Sequence, residues 1–313
     1  MTGGEPLPRR KTRRDSVRPT QAWVLWLRRK SPLLCCIMDE LDFHKMHGLG
    51  NDFVIVDQRS GKLSLSAEQI QRIADRRRGV GFDQLLLIEP SDAADAFMRV
   101  YNPDGSEAGA CGNGTRCVAR LMMEEHGLSR VTIETRAGIL EVKPELMGYA
   151  VKMGRPGLGW DEIPLARPMD TLHLDIETGP LRRPTAVGMG NPHVVFFVDD
   201  AEAVDLEGLG PALEHHPFFP ERANIGVAEV KDEQTIRLRV FERGAGVTSA
   251  CGSGACAALI AAVRRDLTKS SASVHLDGGR LHITWGEDGQ VLMTGPAAHS
   301  FKGRFEPDML APS

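Results

Sequence analysis

Ala110-Cys111-Gly112-Asn113-Gly114 in the first half of the chain recurs as Ala250-Cys251-Gly252-Ser253-Gly254 in the second, 140 residues later. The same offset carries Gly50-Asn51 onto Gly190-Asn191 and Tyr101 onto Phe241. It also carries Val151, Met153 and Pro156 onto Val291, Met293 and Pro296. A gapless register from about 51–156 onto 191–296 predicts two structurally similar halves related by a pseudo-two-fold axis. Equivalent loops of two such halves meet at the axis. Cys111 and Cys251 are therefore expected to face each other across one pocket.

Each of these cysteines stands before a Gly-x-Gly and a helical pattern, and the first helix should run from Cys111 to a stop at Gly127. Glycine lets the backbone approach a ligand closely. The first N–H groups of a helix have no partner within it, and with the helix dipole they form an anion site. A carboxylate is the natural occupant. The same field favours thiolate over thiol, so a thiol pKa well below the ordinary ~8.5 is expected here. Two such sites across one carboxylate suit proton exchange at the neighbouring carbon. One thiolate removes the α-proton from one face, the opposing thiol delivers one to the other, and the centre inverts. Backbone N–H groups of Gly112, Asn113, Gly252 and Ser253 would stabilise the charge that moves onto the carboxylate. Cys117 and Cys256 lie inside their helices beside small or apolar residues and read as buried hydrophobes.

The rest of the chain excludes several classes of function. It has 313 residues, 42% of them apolar and 26% charged, and a net charge of -4, which points to neither nucleic acid nor membrane as main partner. No apolar run approaches the ~20 residues of a membrane span, and no secretion signal is evident. A cytoplasmic protein is expected, so its six cysteines are not a disulfide framework. Cys111-x5-Cys117 and Cys251-x4-Cys256 fit neither zinc nor iron–sulfur spacing, so no metal is expected. Residues 1–37 carry nine Lys/Arg against two acids and read as a disordered basic extension preceding a natural start at Met38, with an Arg-rich targeting peptide as the alternative. Beyond them the chain is mostly short strands, among them Phe53–Val56, Leu85–Ile88 and Phe97–Tyr101. A capping box at Ser66-Ala67-Glu68-Gln69 starts a helix expected to reach Gly79.

Eight segments in order extend the pattern: Gly50 to Phe53, Gly81 to Gln84, Tyr101 to Gly105, Ala110 to Cys117, Met189 to His193, Glu221 to Val227, Phe241 to Gly244 and Ala250 to Cys256. Through them the chain resembles the diaminopimelate epimerase family over roughly residues 43–306. The resemblance implies interconversion of LL- and meso-2,6-diaminopimelate in lysine and peptidoglycan precursor synthesis, without pyridoxal phosphate or metal. It implies an α+β fold of two pseudo-symmetric halves, each a mainly antiparallel, barrel-like sheet wrapped around a central helix. The halves would be 38–157, with 298–313 returning to it, and 158–297. Cys111 and Cys251 match the acid/base pair, and Gly112, Asn113, Gly252 and Ser253 the carboxylate-holding loops. Asn51, Gln84, Asn102, Asn191, Asn224, Glu242 and Arg243 match substrate-contacting positions. The offset relates Gln84 to Asn224 and Asn102 to Glu242. Glu242 can accept from an ammonium and Arg243 can grip a carboxylate, which suits a doubly zwitterionic substrate. His193 is read two ways, as a structural hydrogen-bonding histidine or as a group tuning the cysteines. A homodimer with Phe301 near its interface is also implied. Ser253 stands where the family often has Thr, and Ala108-Gly109-Ala110 is small where a larger residue is frequent. A two-cysteine racemase of another amino acid, such as proline or hydroxyproline, is the alternative within this architecture. A non-catalytic relative lacks the cysteine pair, and a thiol redox protein would place its cysteines in C-x-x-C.

Overall fold

The computed structural model describes residues 41–61, 64–109 and 111–310, and the expectations for residues 1–37 and Met38 lie outside these. The first set of strands is β1 (Asp42–Gly48), β2 (Asn51–Asp57), β3 (Gln84–Glu89), β4 (Ala96–Tyr101), β5 (Glu107–Ala108), β6 (Val131–Thr135), β7 (Gly138–Glu145) and β8 (Gly148–Lys152). The three strands read from the sequence fall in β2, β3 and β4. β3 is buried on both faces from Leu85 to Ile88, hence its unbroken apolar run, whereas β4 alternates between buried and half-buried positions. A small hairpin, β9 (Glu177–Thr178) and β10 (Leu181–Arg182), lies between this set and the next.

The second set is β11 (Thr185–Gly188), β12 (Pro192–Phe197), β13 (Asn224–Asp232), β14 (Thr235–Glu242), β15 (Gly246–Thr248), β16 (Ser271–Leu276), β17 (Gly279–Trp285) and β18 (Val291–Gly295). It repeats the pairing of the first strand for strand. β2–β3 and β4–β6 are parallel, as are β12–β13 and β14–β16. The remaining ladders within each set are antiparallel. An antiparallel β8–β18 ladder joins the sets, and β19 (Ala298–Arg304) pairs with β1.

The helices are α1 (Ala67–Ala74), α2 (Gly112–His126), α3 (Leu206–Glu214), α4 (Gly252–Arg264) and the short α5 (Pro307–Leu310). α2 packs on β1, β6, β7 and β8, and α4 on β11, β12, β13, β14 and β17, so each set of strands has one central helix. This is the expected α+β fold of two similar halves. Small side chains make the packing possible. α4 reads Gly-Ser-Gly-Ala-Cys-Ala-Ala-Leu-Ile-Ala-Ala-Val-Arg and is buried almost all round, as a helix without a polar face must be. Its alanines let strands approach closely, while Leu259 and Ile260 fill the core, each contributing about 1.5–3 kcal/mol by burial.

Two expectations are corrected. The helix capped by Ser66 ends at Ala74, five residues before Gly79. Asp75 turns the chain out: its backbone is extended and its Oδ1 accepts from the N–H groups of Arg77 and Arg78, in place of helix continuation. The constant 140-residue offset also fails beyond the central helices. It holds where Phe53 pairs Gln84 and His193 pairs Asn224. After that Ala96 pairs Ile133, but Ile236 pairs Val274, one residue further on. The longer β17–β18 turn adds another, so the partner of Val151 across the β8–β18 ladder, Met293, is also its structural counterpart. The gapless match of Val151 to Val291 is therefore one of sequence only.

Candidate active site

Cys111 and Cys251 are the N-cap residues of α2 and α4. Both have extended backbones, and each sulfur accepts from the N–H three residues on, Gly114 at 3.3 Å and Gly254 at 3.4 Å. Sulfur thus takes the place that oxygen holds in ordinary caps. α2 ends at Gly127, in the left-handed region at φ 64°, as read from the sequence. The glycines after each cysteine are needed for space. A Cβ on Gly112 would lie 3.0 Å from Cε of Met293, and one on Gly252 2.9 Å from Sδ of the same residue. Both helix starts therefore rest against one methionine.

Asn113 ties them together. Its Nδ2 donates to the carbonyl of Ala250, the residue before Cys251, and to Oδ1 of Asn51, both at 3.2 Å. Asn51 is fixed from the other side, where its Nδ2 donates to Asp83 at 3.0 Å. Its Oδ1 is thereby the acceptor that faces Cys111 Sγ at 3.9 Å. Asp83 is held in turn by Arg76. The offset-related loops do meet, as the repeat implies.

The electrostatics differ from expectation. Burial pushes the Cys111 thiol up to about 11 from its ordinary 9.0, against the smaller opposing pull of the Gly114 N–H. Burial also raises Cys251 well above its ordinary value, and the neighbouring Glu242 carboxylate adds to this. Loss of water around the sulfur outweighs the helix starts, so both cysteines rest as thiols. Glu242, at the end of β14, accepts from Thr248 at 2.5 Å. Burial raises its pKa, while the Thr248 and Cys251 hydrogen bonds oppose the rise. Ser253 Oγ lies 3.7 Å from Cys251 Sγ.

The other candidates form two groups. Gln84 Nε2 donates to Asn102 at 3.5 Å, and Asn102 donates to Ser106. In the second half, Asn224 donates to the carbonyl of Pro192 and accepts the N–H of Arg243, so it shapes the Arg243 turn. Arg243 also donates to the carbonyl of Glu221 at 2.8 Å. His193 is buried on β12 and bonds Asn191 at 2.9 Å. Burial, helped by the Arg243 charge, lowers its pKa to about 3, so it is neutral. Among the described residues neither cysteine makes a hydrogen bond to it. Phe301, 49% exposed on β19 and edge-on to Phe43, lines a surface cavity together with Asp83, Arg76 and Gly50.

The diaminopimelate epimerase family model matches residues 43–158 and 185–300. The chain belongs to the diaminopimelate epimerase family. It is 56% identical over 273 residues to the diaminopimelate epimerase of Acidiphilium cryptum, covering 86% of this chain and 98% of the relative. It is 56% identical over 271 residues to that of Rhodospirillum centenum, covering 86% and 93%. Family membership makes it an isomerase acting on a small molecule. Solved structures of more distant proteins share the fold. One is a PhzF-family phenazine biosynthesis protein of Bacillus anthracis, with TM-score 0.61, 21% identity and coverage of 86% of this chain and 100% of that one. Another is a probable proline racemase of Agrobacterium radiobacter, with TM-score 0.63, 16% identity and coverage of 87% and 94%.

Sequence reasoning missed Asp83, Thr248 and Met293 as parts of the site of this family member. Asp83 stands next to Gln84 in the Gly81-Phe82-Asp83-Gln84 segment, and that adjacency is its one signal. Thr248 follows the strand that ends at Glu242 by a tight turn, which only the β14–β15 hairpin brings back. Met293 matched Met153 in the repeat, but nothing in the sequence puts one side chain against both helix starts.

Proposed function

We propose that this chain interconverts LL- and meso-2,6-diaminopimelate through Cys111 and Cys251, without a cofactor. The observation that carries this reading is the meeting of two cysteine-capped helix starts against Met293, bridged by Asn113. The substrate's reacting carboxylate would lie between the N–H groups of Gly112, Asn113, Gly252 and Ser253. A thiolate on one side takes the α-proton and becomes a thiol. The opposing thiol gives its proton to the other face of the carbanion and becomes a thiolate. One proton is lost and one gained, so no oxidant or reductant is needed. Because both cysteines rest as thiols, one must first lose a proton. Glu242 serves as its acceptor from Cys251, since burial raises its pKa and makes it a stronger base than an exposed carboxylate. Asn51 Oδ1, held as an acceptor, keeps Cys111 in its thiol form on the other side. Arg243, Gln84, Asn102, Asn191 and Asn224 would bind or shape the distal amino acid, with Arg243 on its carboxylate. His193 holds Asn191 in place as a neutral donor.

The enzyme is proposed to work in the cytoplasm. No helix among the described residues is long and apolar enough to cross a membrane. The test of the reaction is deuterium incorporation at the α-carbon in deuterated water. LL-diaminopimelate should exchange and epimerise, while proline and hydroxyproline should not. Exchange of proline at a comparable rate would reassign the substrate.

A further inference from the structure

Among the described residues Arg116 is the largest fully buried side chain, at 0% exposure, one turn into α2 and therefore close under Cys111. No carboxylate among the described residues lies within ion-pair distance of it. Its guanidinium is satisfied by neutral groups: Nη2 donates to Oδ1 of Asn113 at 2.9 Å, Nε to the carbonyl of Pro296 at 3.2 Å, and Nη1 approaches Sδ of Met293 at 3.6 Å. The fold makes room for it. A Cβ on Gly48 would lie 3.0 Å from Nη2, and one on Gly295 3.5 Å from Cζ. The repeat does not require it, since the residue 140 positions later is Cys256. Burying an unmatched cation is costly, and a guanidinium cannot shed its charge at working pH. A group kept at such cost in one half only points to an anion that is absent from the resting chain and present during reaction.

Two consequences follow from its contacts. Arg116 fixes which way the Asn113 amide points. With Oδ1 taken by Nη2, Nδ2 must reach Asn51 and Ala250, the two contacts that align Cys111 with the start of α4. Its charge also faces the thiols. Cys111 and Cys117 on its own helix and Cys256 from α4 all feel it, and Glu242 is the opposing carboxyl that acts on Cys111. Gly48 of β1 and Met293 and Gly295 of β18, none of them titratable, lie against it.

We propose that Arg116 is a positioning residue for the proton transfer: it locks the Asn113 bridge between the halves, and its unmatched charge is balanced by the anion that forms at the helix starts. The proposal rests on the two-cysteine reading. Removing the charge disfavours thiolate, so the acid limb of the kcat–pH profile moves to higher pH. Arg116→Gln, checked for folding by circular dichroism, should lose about 100-fold or more in kcat with KM changed by less than about threefold. Its acid limb should rise by at least about one pH unit. A folded Arg116→Gln with the limb unmoved would overturn the proposal, even if slower, because a purely structural strut would lower activity without retuning a thiol. Should that variant fail to fold, Arg116→Lys decides. A buried lysine keeps the charge but can lose its proton, so it should add an alkaline limb to kcat that the unmodified enzyme lacks. A profile for Arg116→Lys matching that of the unmodified enzyme would equally overturn it. Cys111→Ala and Cys251→Ala measured in parallel separate the two ideas. If they stay active, the two-cysteine reading fails. If they are inactive while Arg116 variants keep an unshifted profile, only the role of Arg116 fails.

Discussion

At the scale of single residues, the proposed mechanism asks two separable things of the sulfur atoms at 111 and 251. As caps they accept one N–H each, and serine would do that at least as well. As acids and bases they need a thiol, which ionises far more readily than a hydroxyl. Cys111→Ser should therefore fold with a melting temperature within about 2 °C of the unmodified protein, while kcat falls by about 100-fold or more. Equal loss of both would mean that the cysteine is structural. His193 gives a pH test. Its folded pKa of about 3 lies below the ordinary 6.5, so the unfolded chain binds the extra proton between those values. Its contribution to stability is complete above about 6.5 and is lost as pH falls toward 3. By pH 5 the loss should reach about 2 kcal/mol. His193→Gln should show a flatter stability profile between pH 7.5 and 5 in urea titrations, and an equal slope would contradict the assignment. The sequence left His193 between two readings because its environment, not its identity, decides. Arg243 and the apolar surroundings that keep it neutral come from other strands. The expected low thiol pKa failed for the same reason: helix position is local and legible, whereas burial depends on the whole fold.

At the scale of elements, caps and apolar runs were readable because their causes lie within a few residues. Ser66 with Gln69 gave a true helix start, and Cys111 and Gly127 gave both limits of α2. Helix endings set by side-chain competition, as at Asp75, and register set by turn lengths after α2 and α4 were not. The β8–β18 junction depends on such a detail. Gly148 has φ 125°, and a Cβ there would lie 2.3 Å from the carbonyl oxygen of Gly295. Gly148→Ala should destabilise the protein by about 2 kcal/mol or more, through strain and lost ladder contacts. A urea midpoint unchanged from the unmodified protein would show that the strands can part without penalty. Within α4, Leu259→Ala should cost about 2–5 kcal/mol, since the surrounding strands cannot collapse onto the gap.

At the scale of the molecule, the repeat brings two ordinary helix starts together, with Asn113 of one bonded to Ala250 beside the other. β19 is a second large-scale feature. It pairs with β1 on one side and carries Phe301, Lys302 and Arg304 exposed. We propose that this strand meets a second copy of the chain, and Phe301→Ala should weaken a dimer seen by sedimentation. A monomeric unmodified protein would exclude it. The two-fold relation was visible in the sequence because Cys-Gly-x-Gly and the strands before it keep one spacing. What crosses the axis was not, since Asn113 to Ala250 and Met293 to both glycines are contacts between positions far apart in the chain. The central claim is that each half supplies one proton-transfer group to a shared pocket. The most direct measurement is epimerisation by Cys251→Ala, with LL- and with meso-diaminopimelate, in deuterated water. The structure predicts no epimerisation from either isomer, because a single remaining cysteine cannot serve both faces of the α-carbon. Conversion of LL-diaminopimelate by Cys251→Ala at near the unmodified rate would contradict it.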